Sequence, residues 1–266
     1  PNPDDFTHFS YDGVGNRLAM DTAAGSTIYE YDANDQLLSL DGPDGPESFS
    51  YDANGNQVTN NRFAMTYDAA GNRLTEVGWG LPRQTHYRSV YSYDGAGNRL
   101  LTRSSATSPP GGGPNYTSLD RATWDQNFAL PQLASEAVDG ASPTDYIYGM
   151  GRISEQIPGQ GGHYYSTDRM GSVVALTDGT GAVETTYSYG AFGETTRTDV
   201  AGSTPNPFGF TGEYMDQPGG GNALDGLYNL RARQYDPSTG RFLQRDPLES
   251  AGSAYAYVGN WPTTMV

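Results

Sequence analysis

The sequence predicts an all-β protein of antiparallel β-hairpin repeats with little helix, and three observations carry that prediction. First, a Tyr-Asp pair recurs at Tyr11–Asp12, Tyr31–Asp32, Tyr51–Asp52, Tyr67–Asp68 and Tyr93–Asp94, in steps of 20, 20, 16 and 26 residues. Second, a short alternating run such as S-T-I-Y-E-Y or S-F-S-Y precedes the Asp, and D-x-x-G-N with another short run such as R-L-A-M follows. Third, 35 Gly and 17 Pro demand frequent turns and therefore short strands.

Each element follows from local chemistry. Alternation at period two argues strand. Asp caps a reversal with its side chain, and Gly and Asn accept positive φ, so each Y-D-x-x-G-N marks a hairpin tip. A lone hairpin is marginal in water, but a row of hairpins buries each unit against its neighbours in one continuous sheet. A period near 20 residues with variable insertions is the mark of such a repeat. The Tyr before each tip is expected to pack the sheet. Tyr outnumbers Phe 20 to 9, which suits sheets with one wet face, because Tyr buries a ring and keeps its hydroxyl bonded.

Composition bounds the function. With 266 residues the chain is one large all-β domain or two ordinary ones. No Cys excludes disulfides and thiolate metal sites. All 15 basic residues are Arg, and the formal charge of −16 disfavours nucleic acid and anionic membranes. A solvated acidic surface explains that charge, with adaptation to high salt the weaker alternative. No long apolar run predicts membrane insertion. The chain opens with P-N-P-D-D-F and almost at once enters a repeat, so it reads as a piece of something longer.

Several local strings admit a sharper reading beside a plain one. D-A-N-G-N and D-G-A-G-N look faintly like calcium loops, but a calcium site needs roughly six to eight oxygens and an EF-hand ends in a Glu that these lack. Turn chemistry is preferred, and no metal or cofactor is expected. The sequon Asn115-Tyr116-Thr117 matters only in a host that glycosylates. His163 and Asp168 could pair as acid and base or bind a metal, but a strand His and a turn Asp account for them. Ser172 lacks a G-x-S-x-G elbow.

Y-D-x-x-G-N-R repeated at about 20 residues resembles the YD repeats of the RHS, teneurin and Tc-toxin proteins. The resemblance implies a long β-sheet wound as a spiral or barrel-like YD shell with few free edges. Residues 1–118 are read as YD-repeat hairpins, with a loop by composition over 101–118. Residues 119–207 hold degenerate repeats of the same sheet, with Trp124-Asp125, Tyr148-Gly149 and Tyr189-Gly190 replacing Tyr-Asp. Residues 208–266 contain L-Y-N-L-R-A-R-Q-Y-D-P-S-T-G-R-F-L-Q-R-D-P-L and A-Y-A-Y-V-G-N-W-P, and resemble the RHS-associated core domain.

Arg231, Arg233, Arg241 and Arg245 crowd this block beside Asp236 and Asp246. On their own they suggest an ion-pair network, since Arg's planar fork suits carboxylates. The resemblance adds a second reading, an aspartyl autoprotease that cuts after a D-P-x-G motif. Two close carboxylates cannot both ionise, so one serves as acid while the other activates water. By motif, Arg233 matches the family's Arg and Asp246 its first catalytic Asp. Asp236, Gly240 and Arg241 match a structural turn. The second Asp is expected just after Val266, so the 266 residues are not expected to be an active enzyme.

Two functions follow as expectations. One is a structural β-shell, joined to further YD repeats of a parent chain, that encapsulates or displays a variable C-terminal cargo, usually a toxin. The other is an extracellular structural or adhesive protein, self-associating through open sheet edges and binding glycans on Tyr-lined faces. Either implies a secreted or cell-surface protein.

Overall fold

The computed structural model describes residues 6–69, 73–79, 86–107, 115–202, 204–216, 226–248, 252–260 and 262. Among them are 23 strands and two short 3-10 turns, with no α-helix. Every ladder is antiparallel and joins neighbours in sequence, so the order is up-and-down throughout. Five strands, from Thr7–Tyr11 to Gly45–Ser48, form a first sheet. Fourteen, from Ser50–Tyr51 to Thr195–Asp199, form a second. Four, from Tyr214–Asp216 to Arg241–Phe242, form a third.

Two features depart from a single continuous sheet. The ladder breaks at Phe49: residues 45–48 pair backwards into the first sheet and Ser50–Tyr51 pair forwards into the second. Asn61 bridges the break, donating from Nδ2 to Pro46 O at 2.8 Å and accepting from Ser48 N at 3.3 Å. The array also does not close as a barrel. Among the described residues no ladder joins Thr7–Tyr11 to Thr195–Asp199. The two ends meet through side chains, with Phe9 and Phe192 edge to face at 5.2 Å and the Arg17 guanidinium over both rings. The 236–240 turn stands at this junction: a Cβ on Gly240 would meet Arg17 Nη2 and Phe192.

The tips explain their own sequence. Asp12 Oδ1 accepts from Val14 N and Asn16 N at 3.0 and 2.8 Å, and Asn16 Nδ2 donates back to Asp12 Oδ2 at 3.0 Å. Asp52 with Asn56 and Asp94 with Asn98 repeat this geometry. The Asn98 amide holds the Asp94 carboxyl below its usual range. Gly15, Gly55 and Gly97 have φ of 95°, 82° and 92°, the left-handed conformation that favours Gly. The tip Asn is not needed for positive φ; its amide closes the Asp cap. These Asp oxygens are therefore spent on their own turns, which leaves the turn reading of the loops intact.

Each tip Tyr after the first bonds the unit before it. Tyr31 Oη donates to Arg17 O at 2.9 Å, Tyr67 Oη to Gln57 O at 2.7 Å and Tyr93 Oη to Leu74 O at 2.6 Å. Tyr51 Oη instead accepts from Leu37 N at 3.1 Å. In each case the partner opens the second strand of the preceding hairpin. The degenerate units keep the rule: Trp124 Nε1 donates to Arg99 O, Tyr148 Oη to Leu133 O and Tyr189 Oη to Val173 O. Burial pushes the Tyr31 hydroxyl up to about 12, so it stays a donor at any ordinary pH.

Arginine is built into the packing. Among the described residues eight Arg lie over aromatic rings, including Arg17 on Phe192 at 4.1 Å, Arg99 on Tyr91 at 4.1 Å and Arg152 on Phe208 at 3.1 Å. A flat, weakly hydrated guanidinium stacks and tolerates burial where an ammonium does not. Arg therefore serves at these eight positions where Lys would not.

The core lies between the array and the C-terminal block. Leu227 and Leu243 pack with Phe63, Met65, Leu74, Val77 and Tyr91 of the second sheet. Phe208 packs with Leu133, Tyr146, Val173, Leu176 and Tyr187. The outward positions Ile28, Leu38, Ile147 and Ile153 stay exposed. The first two sheets thus have one wet face, while the third is buried on both.

Candidate acid–arginine site

Arg233 opens the strand Arg233–Asp236, which pairs with Arg241–Phe242. The chain then bends, and Asp246 is fixed by its own backbone N donating to Ala254 O at 2.9 Å. This brings Arg233 Nη2 to 3.0 Å from Asp246 Oδ2, with both side chains 19% exposed. Phe242 lies under the guanidinium at 3.7 Å. Asp246 Oδ1 accepts from Leu248 N at 2.9 Å. Burial pulls the Arg233 guanidinium down from its usual range, against the pull of Asp246. Arg233 Nη1 is buried and has no acceptor among the described residues. The arrangement can orient the Asp246 carboxyl and offer a second, unused donor beside it.

Asp236 lies elsewhere and is fully buried. Its carboxylate accepts from Ser238 N at 2.9 Å, and from Arg62 Nη2 at 3.2 Å on each oxygen. Gly240, with φ of 70°, donates to Asp236 O and closes that turn. Among the described residues Arg241 pairs with no carboxylate. It donates to Asn16 Oδ1 at 3.2 Å and Asp35 O at 2.5 Å, between the rings of Tyr31 and Tyr255. Arg231 pairs with Glu213 at 2.9 Å. Arg231, Arg233 and Arg241 therefore serve different partners.

His163 and Asp168 are not brought together. His163 Nδ1 lies 2.5 Å from Glu184 Oε2, while Asp168 caps a tip through Met170 N and Ser172 N. Ser172 Oγ accepts from Thr211 N. Among the described residues no three acidic or His side chains group as a metal site. The expectation of an Asp following Val266 rests on residues 263–266, which lie outside the described residues.

Three buried features are hidden from sequence reasoning. Arg99 and Asp216 form a bidentate pair, each about 5% exposed, between the array and the third sheet. Burial raises Glu136, which accepts from Tyr214 Oη at 2.8 Å, to about 7. Burial likewise raises Glu155, which accepts from Tyr165 Oη at 2.6 Å, to about 7. A lone acid among alternating strand residues was the available signal, and it does not say which face turns inward.

A family model described as RHS Repeat matches residues 31–62. The tRNA3(Ser)-specific nuclease WapA of Bacillus spizizenii is 28% identical over 97% of this chain. The double-stranded DNA deaminase toxin A of Burkholderia cenocepacia is 34% identical over 35% of it. The chain spans only 10% and 6% of the length of these relatives. The crystal structure of TcdB2-TccC3-Cdc42 matches with a TM-score of 0.57 over 98% of this chain and 17% of that one. At 17% identity that likeness is one of fold. Hairpin grammar, the RHS Repeat match over residues 31–62 and the shared fold agree in making the chain similar to RHS-repeat, or YD-repeat, proteins.

Proposed function

We propose that this chain is a segment of a β-shell that encloses or displays a C-terminal effector, and that its Arg233–Asp246 pair belongs to an aspartyl self-cleavage site. The observation that carries the reading is an array of hairpins wound onto its own C-terminal block, with that pair on the block. The shell is a structural element of a longer, secreted or cell-surface protein, and its partners are further YD repeats and the effector. Residues 208–266 act as the core domain in which cleavage is set up.

The chemistry asked of the pair is modest. Hydrolysis adds water oxygen to a peptide carbonyl carbon, breaks the C–N bond and gives a proton to the leaving amine. One carboxylate takes the proton from water while a protonated partner supplies one. Arg233 pairs with Asp246 and fixes the direction in which its carboxyl group faces. The buried, unused Arg233 Nη1 supports a second acceptor here, the role of an Asp from a D-P-x-G motif. In the full-length gene product, Asp246→Asn is expected to abolish self-cleavage, read as a single uncut band. Normal cutting by that variant removes the autoprotease reading and leaves the shell.

A further inference from the structure

Three hairpin tips that are distant from the C-terminal block in sequence converge on one stretch of it, residues 252–260. From the first tip, Val14 O accepts from Ser253 N at 2.8 Å and Gly15 O accepts from Asn260 Nδ2 at 2.5 Å. From the third, Gly55 O accepts from Tyr255 Oη at 2.7 Å. From the second, Gln36 Nε2 donates to the same hydroxyl at 3.5 Å. Arg241 ties the set together through Asn16 Oδ1, Asp35 O and Ser253 Oγ.

The fit is tight. Tyr255 is fully buried. A Cβ on Gly55 would stand 2.7 Å from Tyr255 Oη, and one on Gly15 would stand 3.3 Å from Asn260 Nδ2. The stretch is also strained. Val258, Gly259 and Asn260 have φ of 40°, 60° and 64° in succession. A β-branched residue in that region is an outlier and persists only where its surroundings over-determine it. The bonds from the first tip to Ser253 and Asn260 supply that determination.

We infer that the first three tips form a clamp on residues 252–260, and that Tyr255 and Asn260 are positioning residues for the cleavage proposed above, a reading on which this inference rests. Asp246 is tied to the same stretch through Ala254 O. The clamp therefore fixes both the acid and the chain that runs on from it in one frame. It holds the chain that leaves the block in one register against the acid. Neither residue transfers a proton. The YD tips acquire a second task here: they are a receptor for the block as well as turns.

The test is self-cleavage of the full-length gene product carrying Tyr255→Phe or Asn260→Asp, beside Asp246→Asn. Each clamp variant keeps the size of its side chain and removes one donor. A misplacement of about 1 Å costs on the order of 100-fold in rate, so losses of roughly 10- to 100-fold are expected. Mass spectrometry of the products is expected to show several cut positions where the wild type gives one. Loss of fold alone would not spread the cut positions. Wild-type rate and a single cut in both variants, with Asp246→Asn inactive, overturns the clamp and leaves the cleavage reading standing. Normal cutting by Asp246→Asn removes that reading, and this inference with it.

Discussion

In the strand array the bonds that fix each unit close within about one repeat: Asn16 reaches Asp12, and Tyr93 reaches Leu74, 19 residues back. In the C-terminal block the corresponding bonds span more than 100 residues: Arg99 to Asp216 over 117 residues, Tyr255 to Gly55 over 200 and Asn260 to Gly15 over 245. The array is thus a sum of near-identical local solutions. The block is a single solution that closes long loops, and it holds the ends of the array together where no ladder does. Damage to the array should stay local, whereas damage at the interface with the block should be global.

The sharpest break in that comparison is Asp216→Ala. It leaves the Arg99 guanidinium buried and unpaired, a change that costs about 3–5 kcal/mol. Urea unfolding should show one cooperative loss across array and block. A loss confined to the third sheet, with the array melting as before, would mean that the two are not coupled.

A second break uses charge at the same interface. Burial raises Glu136 from 4.5 to about 7. Between those values the native state binds a proton that the unfolded chain has released. Stability therefore falls as pH rises through the window and is highest below it. Glu136→Gln keeps an acceptor for Tyr214 and removes the cost of the anion. It should stabilise the chain by on the order of 2 kcal/mol at pH 8, since one pKa unit is about 1.4 kcal/mol, and the gain should shrink as pH falls toward 4.5. A gain independent of pH would show that Glu136 titrates in the native state as it does in the unfolded chain.

The two regions differ in legibility for the same reason that they differ in reach. Y-D-x-x-G-N states its own turn, because Asp, Gly and Asn all act within five residues. Degenerate units are legible too: where Gly190 replaces Asp, Glu194 Oε2 reaches back to Phe192 N at 3.3 Å and takes the space a Cβ at 190 would need. The open barrel was not legible, since it depends on how the array meets the block. Arg233 and Asp246 were picked by motif, and the fold brings them to 3.0 Å. Asp216, Tyr255 and Asn260 carry no local sign of partners more than 100 residues away.

A paired substitution isolates docking from turn chemistry. Gly55 and Gly181 sit at equivalent tips with φ of 82° and 87°. A Cβ at 181 meets nothing within 4 Å, while one at 55 meets Tyr255 Oη. Gly181→Ala should cost about 1 kcal/mol, the strain of a left-handed Ala. Gly55→Ala should cost about 2 kcal/mol, since the docked hydroxyl must also move. Equal losses on urea titration would deny the block any hold on that tip.

The smallest effect tests the array alone. Tyr93→Phe keeps the ring in the core beside Leu74 and Tyr91 and removes only the hydroxyl that bonds Leu74 O at 2.6 Å. A neutral hydrogen bond of this kind is worth about 1 kcal/mol, more if the carbonyl is left dry. The loss should be confined to the neighbouring units: amide exchange should quicken at Leu74–Trp79 and His86–Tyr93 and stay unchanged at Leu227–Leu230. Exchange that quickens equally in the third sheet would show that the Tyr ladder is part of the global closure. The distinction between local array and global block would then fail at its most local point.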